Sequence, residues 1–253
     1  MTNRFKTSLG NYLIYMRRRL RDRKFLNMTK YFLTITKKLN ADTSIEVGAH
    51  SAEFSKSIIE THKFRQIYAF EANPYVFKKF ITDMPKEINY LNLAITNSDG
   101  SVDFHFKNFK TLMGESSSIL KRNSYSDFNH LVSVESAKLD TLFPKKPTNI
   151  LWIDVEGANR EVLMGGVKLL CDTEAIFIEL EHIQIWENQW TSRNVHQFLI
   201  ANGFSLILIN LQGPHQSNAI YLKIRNLTFL QRIILKPISC LKLFAYEKLK
   251  FLS

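Results

Sequence analysis

The 253-residue chain carries 34 Lys and Arg against 23 Asp and Glu, and its 45% hydrophobic content is typical of one large globular domain with extensions. Its two cysteines, Cys171 and Cys240, lie far apart and belong to no CxxC or Cys/His cluster, which argues against a metal site and fits a reducing compartment. No apolar run approaches the ~20 residues of a membrane-spanning helix and no signal peptide is recognisable, so we expect a cytoplasmic protein.

Short apolar runs alternate along the chain with amphipathic segments. The runs predict strands at 43–47, 66–71, 88–95, 149–156, 175–181, 204–210 and 217–223. They are continuously apolar, as strands covered on both faces should be. Helices are predicted between them, for example over 74–84, where Pro74 suits the first helical position, and over 191–202 before Gly203. This alternation predicts an α/β fold with a mostly parallel, twisted sheet and helices on both faces.

The alternation lapses between residues 97 and 148. The segments "SVDFHF" (101–106) and "HLVSVES" (130–136) alternate in period two and predict two more strands, separated by a polar loop at 109–128. We divide the whole chain into three parts. They are a basic helical N-terminal extension (1–40), a central domain (41–224) and a basic amphipathic C-terminal tail (225–253).

Acidic side chains stand at the ends of several predicted strands. They are Glu46 in the first strand, Glu71 in the second, Asp154 and Glu156 in the fourth, and Glu179 and Glu181, followed by His182, in the fifth. Open parallel sheets bind ligands outside the carboxyl ends of their strands, and an ionised carboxylate is costly to bury unpaired. Each acid alone could cap a helix or form an ion pair, and a lone histidine is more often structural. Their joint placement predicts a binding site.

Several motifs resemble, in the same order, those of FkbM-type S-adenosylmethionine-dependent methyltransferases. They are "IEVGAH" (45–50), "FEANP" (70–74), "NLAITNSDGS" (92–101), "KLDTLF" (138–143), "LWIDVEGANREVLMGG" (151–166) and "IFIELEH" (176–182). The resemblance covers roughly residues 43–222. It implies a Rossmann-like methyltransferase fold, S-adenosylmethionine as the cofactor and, as is frequent in such enzymes, methylation of hydroxyl groups of sugars or polyketides.

The resemblance implies that the turn after the first predicted strand binds the cofactor. The residues expected to bind the cofactor are Glu46, Gly48, Ala49, His50, Ala52, Glu71, Ala72 and Ala94. Glu71 follows Gly48 at about the interval expected of an acid that binds ribose hydroxyls. His50 stands where Asn is common in the family and Ala52 where Gly is usual, so the Ala52 methyl should narrow the approach of the backbone to the ligand. Asn159 is a further departure, at a position where an acid is common.

Methyl transfer to a sugar hydroxyl is helped by a base that takes the hydroxyl proton. The candidate catalytic residues are His182, Asp154, Glu156 and Glu181. His182 titrates nearest neutrality and is the preferred base, whereas Asp154 is expected to orient the substrate or cofactor. Loop 109–128 is expected to face the acceptor.

The two ends of the chain concentrate its positive charge. Residues 1–40 carry eleven Lys and Arg with one acid, and residues 223–253 carry seven with one acid. Basic ends indicate an anionic surface or simply solvated helices. Because they are rich in Leu, Ile and Phe, we expect peripheral contact with an anionic membrane at its inner face, and no nucleic acid.

Three functions are therefore open at this stage. The first is a glycan or lipid-linked O-methyltransferase acting on a small-molecule or glycan acceptor. The second is an RNA methyltransferase whose basic ends bind phosphate. The third, suggested by Ala52, is a non-catalytic module that retains the fold. Binding of S-adenosylmethionine separates the third from the other two.

Overall fold

The computed structural model describes residues 28–106, 117–123, 130–212 and 215–226. Seven strands form the main sheet: β1 (Thr43–Val47), β2 (Gln66–Glu71), β3 (Ile88–Asn92), β7 (Asn149–Ile153), β8 (Thr173–Glu181), β9 (Phe204–Leu211) and β10 (Gln216–Lys223). A smaller sheet contains β4 (Ala94–Ile95), β5 (Gly100–Phe106) and β6 (His130–Ala137). The α-helices are α1 (28–36), α2 (Glu53–Ile59), α3 (Pro74–Phe80), α4 (Leu139–Leu142), α5 (Asn159–Gly165) and α6 (Ser192–Ala201).

The main sheet has the strand order β3-β2-β1-β7-β8-β10-β9. Strand β10 is antiparallel to both of its neighbours, and the other adjacent pairs are parallel. Alternate side chains of the buried strands enter two separate cores. Ile45 and Leu151 lie in one core with α5 and α6, whereas Trp152 lies in the other with α1 and α2. The expected α/β fold with a mostly parallel sheet covered on both faces is confirmed.

Three predicted elements end earlier than expected. The strand predicted at 88–95 breaks after Asn92, whose side-chain amide donates to the Glu71 carbonyl at 2.8 Å, and its last residues join the smaller sheet. The strand predicted at 149–156 ends at Ile153, before the positive φ of Gly157 turns the chain towards α5. The helix predicted at 74–84 ends at Phe80 and continues as a 3₁₀ turn.

Both terminal extensions are described only where they adjoin the central domain. In the N-terminal extension, α1 buries Met28 and Phe32 in the same core as α2. At the other end, Arg225 donates from Nε to Glu174 Oε1 at 3.1 Å, near the start of β8. The chain therefore leaves the domain at the edge opposite the carboxyl ends of the parallel strands. Residues 1–27 and 227–253, which include most of the amphipathic C-terminal tail, lie outside the described residues. Within the described part, no helix is long and apolar enough to cross a membrane.

Candidate active site

The turn between β1 and α2 has an alternating backbone conformation. Gly48, His50 and Ala52 have φ angles of 77°, 46° and 58°, in the left-handed region that glycine adopts most readily. The N–H groups of Gly48 and Ala49 both donate to the Phe70 carbonyl at 3.0 Å, which fixes the turn to the end of β2. Two residues with side chains thus occupy positions where the backbone favours glycine.

Ala52 takes a different place from the one expected. Its side chain is fully buried in the core beside Phe54 and Ile58, and the residue does not line the cavity described below. The expected narrowing of the ligand approach by the Ala52 methyl is therefore not what the structure shows. The left-handed φ of Ala52 explains why glycine is usual at this position, because this conformation is unfavourable for a residue with a Cβ.

Two buried carboxylates flank this turn. Glu46 accepts a hydrogen bond from the Ser55 N–H at 2.8 Å. Glu71 accepts from the N–H groups of His50 and Asn73, each at 2.7 Å and each on a different oxygen. Burial raises the pKa of both carboxyls to about 7, against the opposing effect of these hydrogen bonds. Both groups therefore titrate near neutrality.

A cavity of about 790 Å³ opens at the carboxyl ends of the parallel strands. Nine of the residues expected in the site line it: Glu46, Gly48, Ala49, His50, Glu71, Ala72, Ala94, Asp154 and Glu156. Three do not: Ala52, Glu181 and His182. The cavity volume falls within the roughly 300–1,000 Å³ range of small-molecule sites.

The cavity also contains Glu179, which the sequence places at a strand end but which was not among the candidate catalytic residues. Strands β7 and β8 are parallel, with Trp152 opposite Phe177 and Ile153 opposite Ile178. One step further along this register brings Glu179 beside Asp154. Burial, followed by the charges of Asp154 and Glu156, raises the pKa of Glu179 to about 9.

Glu181 lies behind the cavity and supports the turn that follows β7. Its carboxyl accepts from the Gly157 N–H at 2.9 Å and from the Asn159 side-chain amide at 3.3 Å. The same amide donates to the Glu179 carbonyl at 2.8 Å. Asn159, one of the departures from the family pattern, thus holds the start of α5 to the end of β8 through a donor that an acid at this position would lack in its ionised form.

His182 is also not among the residues that line the cavity. Its Nδ1 lies 2.9 Å from the Ser192 hydroxyl at the start of α6, and its backbone N–H donates to the His215 carbonyl. Proton transfer requires the base to reach the reacting hydroxyl directly or through one water. His182, which the sequence favoured as the base, is therefore not among the side chains that line the cavity.

A segment of the loop expected at 109–128 forms one wall of the cavity. Residues 117–123 lie between β5 and the chain that follows β8: Ser118 exchanges two backbone hydrogen bonds with His105, and the Glu187 N–H donates to the Lys121 carbonyl at 2.8 Å. The wall residues are Ser117, Ser118 and Ile119. The Ser118 hydroxyl also donates to the Glu156 carbonyl, which ties this wall to the loop that carries Asp154.

The sequence of the chain is similar to those of known methyltransferases. A model of the Methyltransferase FkbM domain matches residues 46–206, which is more than half of the chain. The chain belongs to the FkbM methyltransferase family. This confirms the resemblance drawn from the motifs, and with it an enzyme that uses S-adenosylmethionine, the methyl donor of the family.

Individual relatives of this FkbM-family protein are distant. The 2-O-methyltransferase NoeI of Sinorhizobium fredii is 22% identical over 169 residues, covering 61% of this chain and 70% of NoeI. Magnesium protoporphyrin IX methyltransferase (ChlM) from Synechocystis PCC 6803 is similar with a TM-score of 0.46 and 10% identity, over 81% of each chain. The putative tRNA (m1A22) methyltransferase Sp1610 of Streptococcus pneumoniae has a TM-score of 0.45 and 14% identity, over 90% of this chain and 89% of its own.

Proposed function

We propose that the protein transfers the methyl group of S-adenosylmethionine to a hydroxyl of an uncharged sugar or glycan acceptor. One observation carries the proposal: a single cavity has the Glu71 carboxylate at the end of β2 and the pair formed by Asp154, just after β7, and Glu179 in β8. Glu71 can accept hydrogen bonds from the ribose of the cofactor, and the pair Asp154 and Glu179 can bind an acceptor hydroxyl. The similarity to a protein named as a 2-O-methyltransferase supports oxygen as the methylated atom.

The residues present fit the cofactor. Each oxygen of Glu71 already receives one backbone N–H, and each keeps a lone pair for a ribose hydroxyl. The turn from Gly48 to His50 brings its backbone to the cavity beside Glu71. Carboxylates around the cavity favour a cationic ligand in a partly buried site. When bound, S-adenosylmethionine supplies an electrophilic methyl group on a positively charged sulfur.

Within the carboxylate pair, the two side chains take different roles. Burial, together with the charges of Asp154 and Glu156, raises the pKa of Glu179, which favours its protonated form and allows it to donate a hydrogen bond. Asp154 is exposed and lines the cavity, where its carboxyl can reach an acceptor hydroxyl. We assign to Asp154 the acceptance of the hydroxyl proton, and to Glu179 the orientation of Asp154 and of the acceptor.

The charge of the cavity argues for an uncharged acceptor and against RNA. The lining residues that the structure describes include six acids: Glu46, Glu53, Glu71, Asp154, Glu156 and Glu179. No Lys or Arg is among these described lining residues. Proteins bind phosphate chiefly through Lys and Arg, so a phosphate would be repelled at this position. The third hypothesis, a non-catalytic module, rested on the Ala52 methyl obstructing the ligand. Because Ala52 does not line the cavity, that argument no longer supports it.

We also propose that the protein works at the cytoplasmic side of an anionic membrane, held there by its basic ends. The support comes from the sequence: cationic residues alternate with apolar clusters in both extensions. Such contact would concentrate the enzyme near lipid-linked glycans.

The acceptor proposal is tested with purified full-length protein and S-adenosylmethionine. The panel consists of neutral p-nitrophenyl glycosides, the corresponding sugar phosphates and a short RNA, with product methylation followed by mass spectrometry. Methylation of neutral glycosides alone is the expected result. Methylation of RNA or of sugar phosphates in preference to neutral glycosides would contradict the proposal.

The assignment of the base is tested on an accepted glycoside. Asp154→Asn should lower kcat by about 10²–10⁴-fold while S-adenosylmethionine still binds, because general-base catalysis contributes roughly that factor. The matched comparison is His182→Ala, which removes the residue preferred from sequence and should leave kcat within a few-fold. A loss of kcat in His182→Ala as large as in Asp154→Asn would return the role to the histidine.

A further inference from the structure

Helix α1 contributes an aromatic side chain to the structure beneath the cavity, although it lies outside the 46–206 range of the family match. Phe32 is fully buried and contacts three other rings. Its ring centroid lies 5.9 Å from that of Phe54, 6.0 Å from Trp152 and 5.7 Å from Phe177. The amino-terminal extension is thus in direct contact with β7 and β8.

The rings that Phe32 contacts form a stack. Trp152 and Phe177 lie face to face with centroids 3.7 Å apart and ring planes 2° apart. Phe54 stacks on the Trp152 ring at 4.4 Å and 17°. Both Phe54 and Trp152 line the cavity. The stack is therefore also part of the ligand site.

The stack immediately precedes the carboxylate pair along the chain: Trp152 is two residues before Asp154, and Phe177 is two residues before Glu179. In a strand, residues two apart point to the same face, and the register places Trp152 beside Phe177 on adjacent strands. Glu179 therefore shares the face of Phe177 in β8, and Asp154, the first residue after β7, lies within hydrogen-bonding reach of the Glu179 carboxyl. A displacement of the rings would carry these two residues with it, because close-packed protein interiors transmit strain.

We propose that Phe32 is a positioning residue of the active site: by fixing the Trp152–Phe177 stack, it sets where Asp154 and Glu179 meet the cavity. The inference rests on the proposed function for its catalytic consequence. It makes α1 part of the catalytic unit, so that the family domain alone is incomplete in this protein.

The test compares two substitutions that remove the same atoms from equally buried positions. Phe32→Leu alters the stack, whereas Phe204→Leu alters the core on the opposite face, outside the cavity lining. We expect a similar loss of unfolding free energy in both. Measured on fully folded protein with an accepted neutral glycoside, kcat should fall about tenfold in Phe32→Leu and stay within about twofold in Phe204→Leu, since misplacement of positioning groups can cost up to about 100-fold in rate. Tyr31→Ala, on the exposed side of α1, should change neither quantity.

A second readout does not depend on the cofactor. The chain has three tryptophans, so replacing Trp186 and Trp190 with Phe leaves Trp152 as the only fluorophore of that kind. In this background, Phe32→Leu should increase acrylamide quenching of Trp152, and Phe204→Leu should not. Should Phe32→Leu fail to fold, Phe32→Met, which fills more of the space, takes its place.

These readouts separate the inference from the proposed function. Unchanged quenching in the Phe32 variant would overturn the inference, and so would increased quenching with an unchanged kcat. A wild-type protein that binds no S-adenosylmethionine would contradict the proposed function, while the quenching comparison would still decide whether Phe32 positions Trp152.

Discussion

Gly48 lies directly against the backbone of Asp154: a Cβ at Gly48 would be only 1.9 Å from the Asp154 carbonyl oxygen. The Asp154 N–H, in turn, donates to the Val47 carbonyl at 2.9 Å. The turn assigned to the cofactor and the residue assigned as the base are therefore in backbone contact. This contact fixes the distance between the two halves of the site, and it leaves no room for a side chain at position 48.

Gly48→Ala should therefore lose both stability and cofactor affinity. The matched control is Gly203→Ala, because Gly203 has a φ of 80° against 77° at Gly48, and its nearest non-neighbouring atom would be 3.9 Å from an added Cβ. The left-handed conformation alone should cost each variant about 1–2 kcal/mol. Urea unfolding should show a larger loss for Gly48→Ala, and calorimetry should show weaker S-adenosylmethionine binding in that variant alone. Equal losses and unaltered binding would contradict the importance of the contact.

Cofactor affinity should rise with pH through the titration of Glu71. The pKa of this carboxyl is raised to about 7 by burial, and ribose hydroxyls donate best to its ionised form. Binding should therefore release a proton, and the Kd should fall as the pH increases from roughly 6 to roughly 8. Glu71→Gln should weaken binding by about 1.5–3 kcal/mol, or roughly tenfold to more than a hundredfold, and should flatten the pH dependence.

The control for this pH dependence is Glu46, whose pKa is raised to the same value. If Glu46 were the source, Glu46→Gln would flatten the profile and Glu71→Gln would not. Calorimetry in buffers of different ionisation enthalpy measures the proton release directly. An unchanged affinity in Glu71→Gln would remove Glu71 from the cofactor site.

The sequence predicted much of this site because strand ends are easy to recognise. Continuous apolar runs gave the strands, and the parallel arrangement placed Glu46, Glu71 and Asp154 at one edge. Side-chain direction was harder. The segment "IELEH" contains three titratable residues, of which Glu179 and Glu181 are two apart in β8 and share a face. Only the tertiary contacts show that Glu179 lines the cavity while Glu181 supports a turn.

The role of Phe32 was also hidden in the sequence. Its segment is basic, and its charge suggested a solvated or membrane-bound helix. The contact of Phe32 with β7 joins residues more than a hundred positions apart, so no local pattern could indicate it. Nor could the sequence show the backbone conformation at Ala52. Its left-handed φ, and not contact with a ligand, is the reason the structure gives for the glycine that is usual at this position.

Asn159→Asp should destabilise the fold in a pH-dependent way. The change removes the donor to the Glu179 carbonyl and places a second carboxyl about 3.3 Å from that of Glu181. Burial already raises the pKa of Glu181 to about 8, and a neighbouring carboxylate would raise it further. Because the folded state then binds protons more tightly than the unfolded chain, stability should fall as the pH rises. The loss should be about 1–3 kcal/mol at roughly pH 8 and smaller at roughly pH 5.

A double-mutant cycle isolates this pair. In Asn159→Asp combined with Glu181→Gln, the new amide can accept from the Gly157 N–H and donate to the new carboxylate. Unfolding measurements should then show recovery of part of the lost stability, and the pH dependence should diminish. Additive losses would mean that the two side chains do not interact.

The basic tail should hold the protein on anionic membranes. Its cationic residues alternate with apolar clusters; they are Arg232, Lys236, Lys242, Lys248 and Lys250. Each basic residue near such a surface contributes on the order of 1 kcal/mol, so several together would give reversible binding. A truncation should begin after Asn226, because Arg225 and Asn226 both bind Glu174 and belong to the folded domain.

In sedimentation with liposomes, the full chain should bind vesicles containing anionic lipid, and binding should weaken as salt increases, because screening shortens the reach of the charges. Removal of residues 227–253 should reduce this binding while S-adenosylmethionine affinity stays unchanged, since the tail begins at the edge of the sheet opposite the cavity. Replacing the tail lysines with glutamine tests the charge alone and keeps the apolar clusters. Equal binding to neutral and anionic vesicles, or binding to neither, would end the membrane proposal and leave the methyltransferase assignment intact.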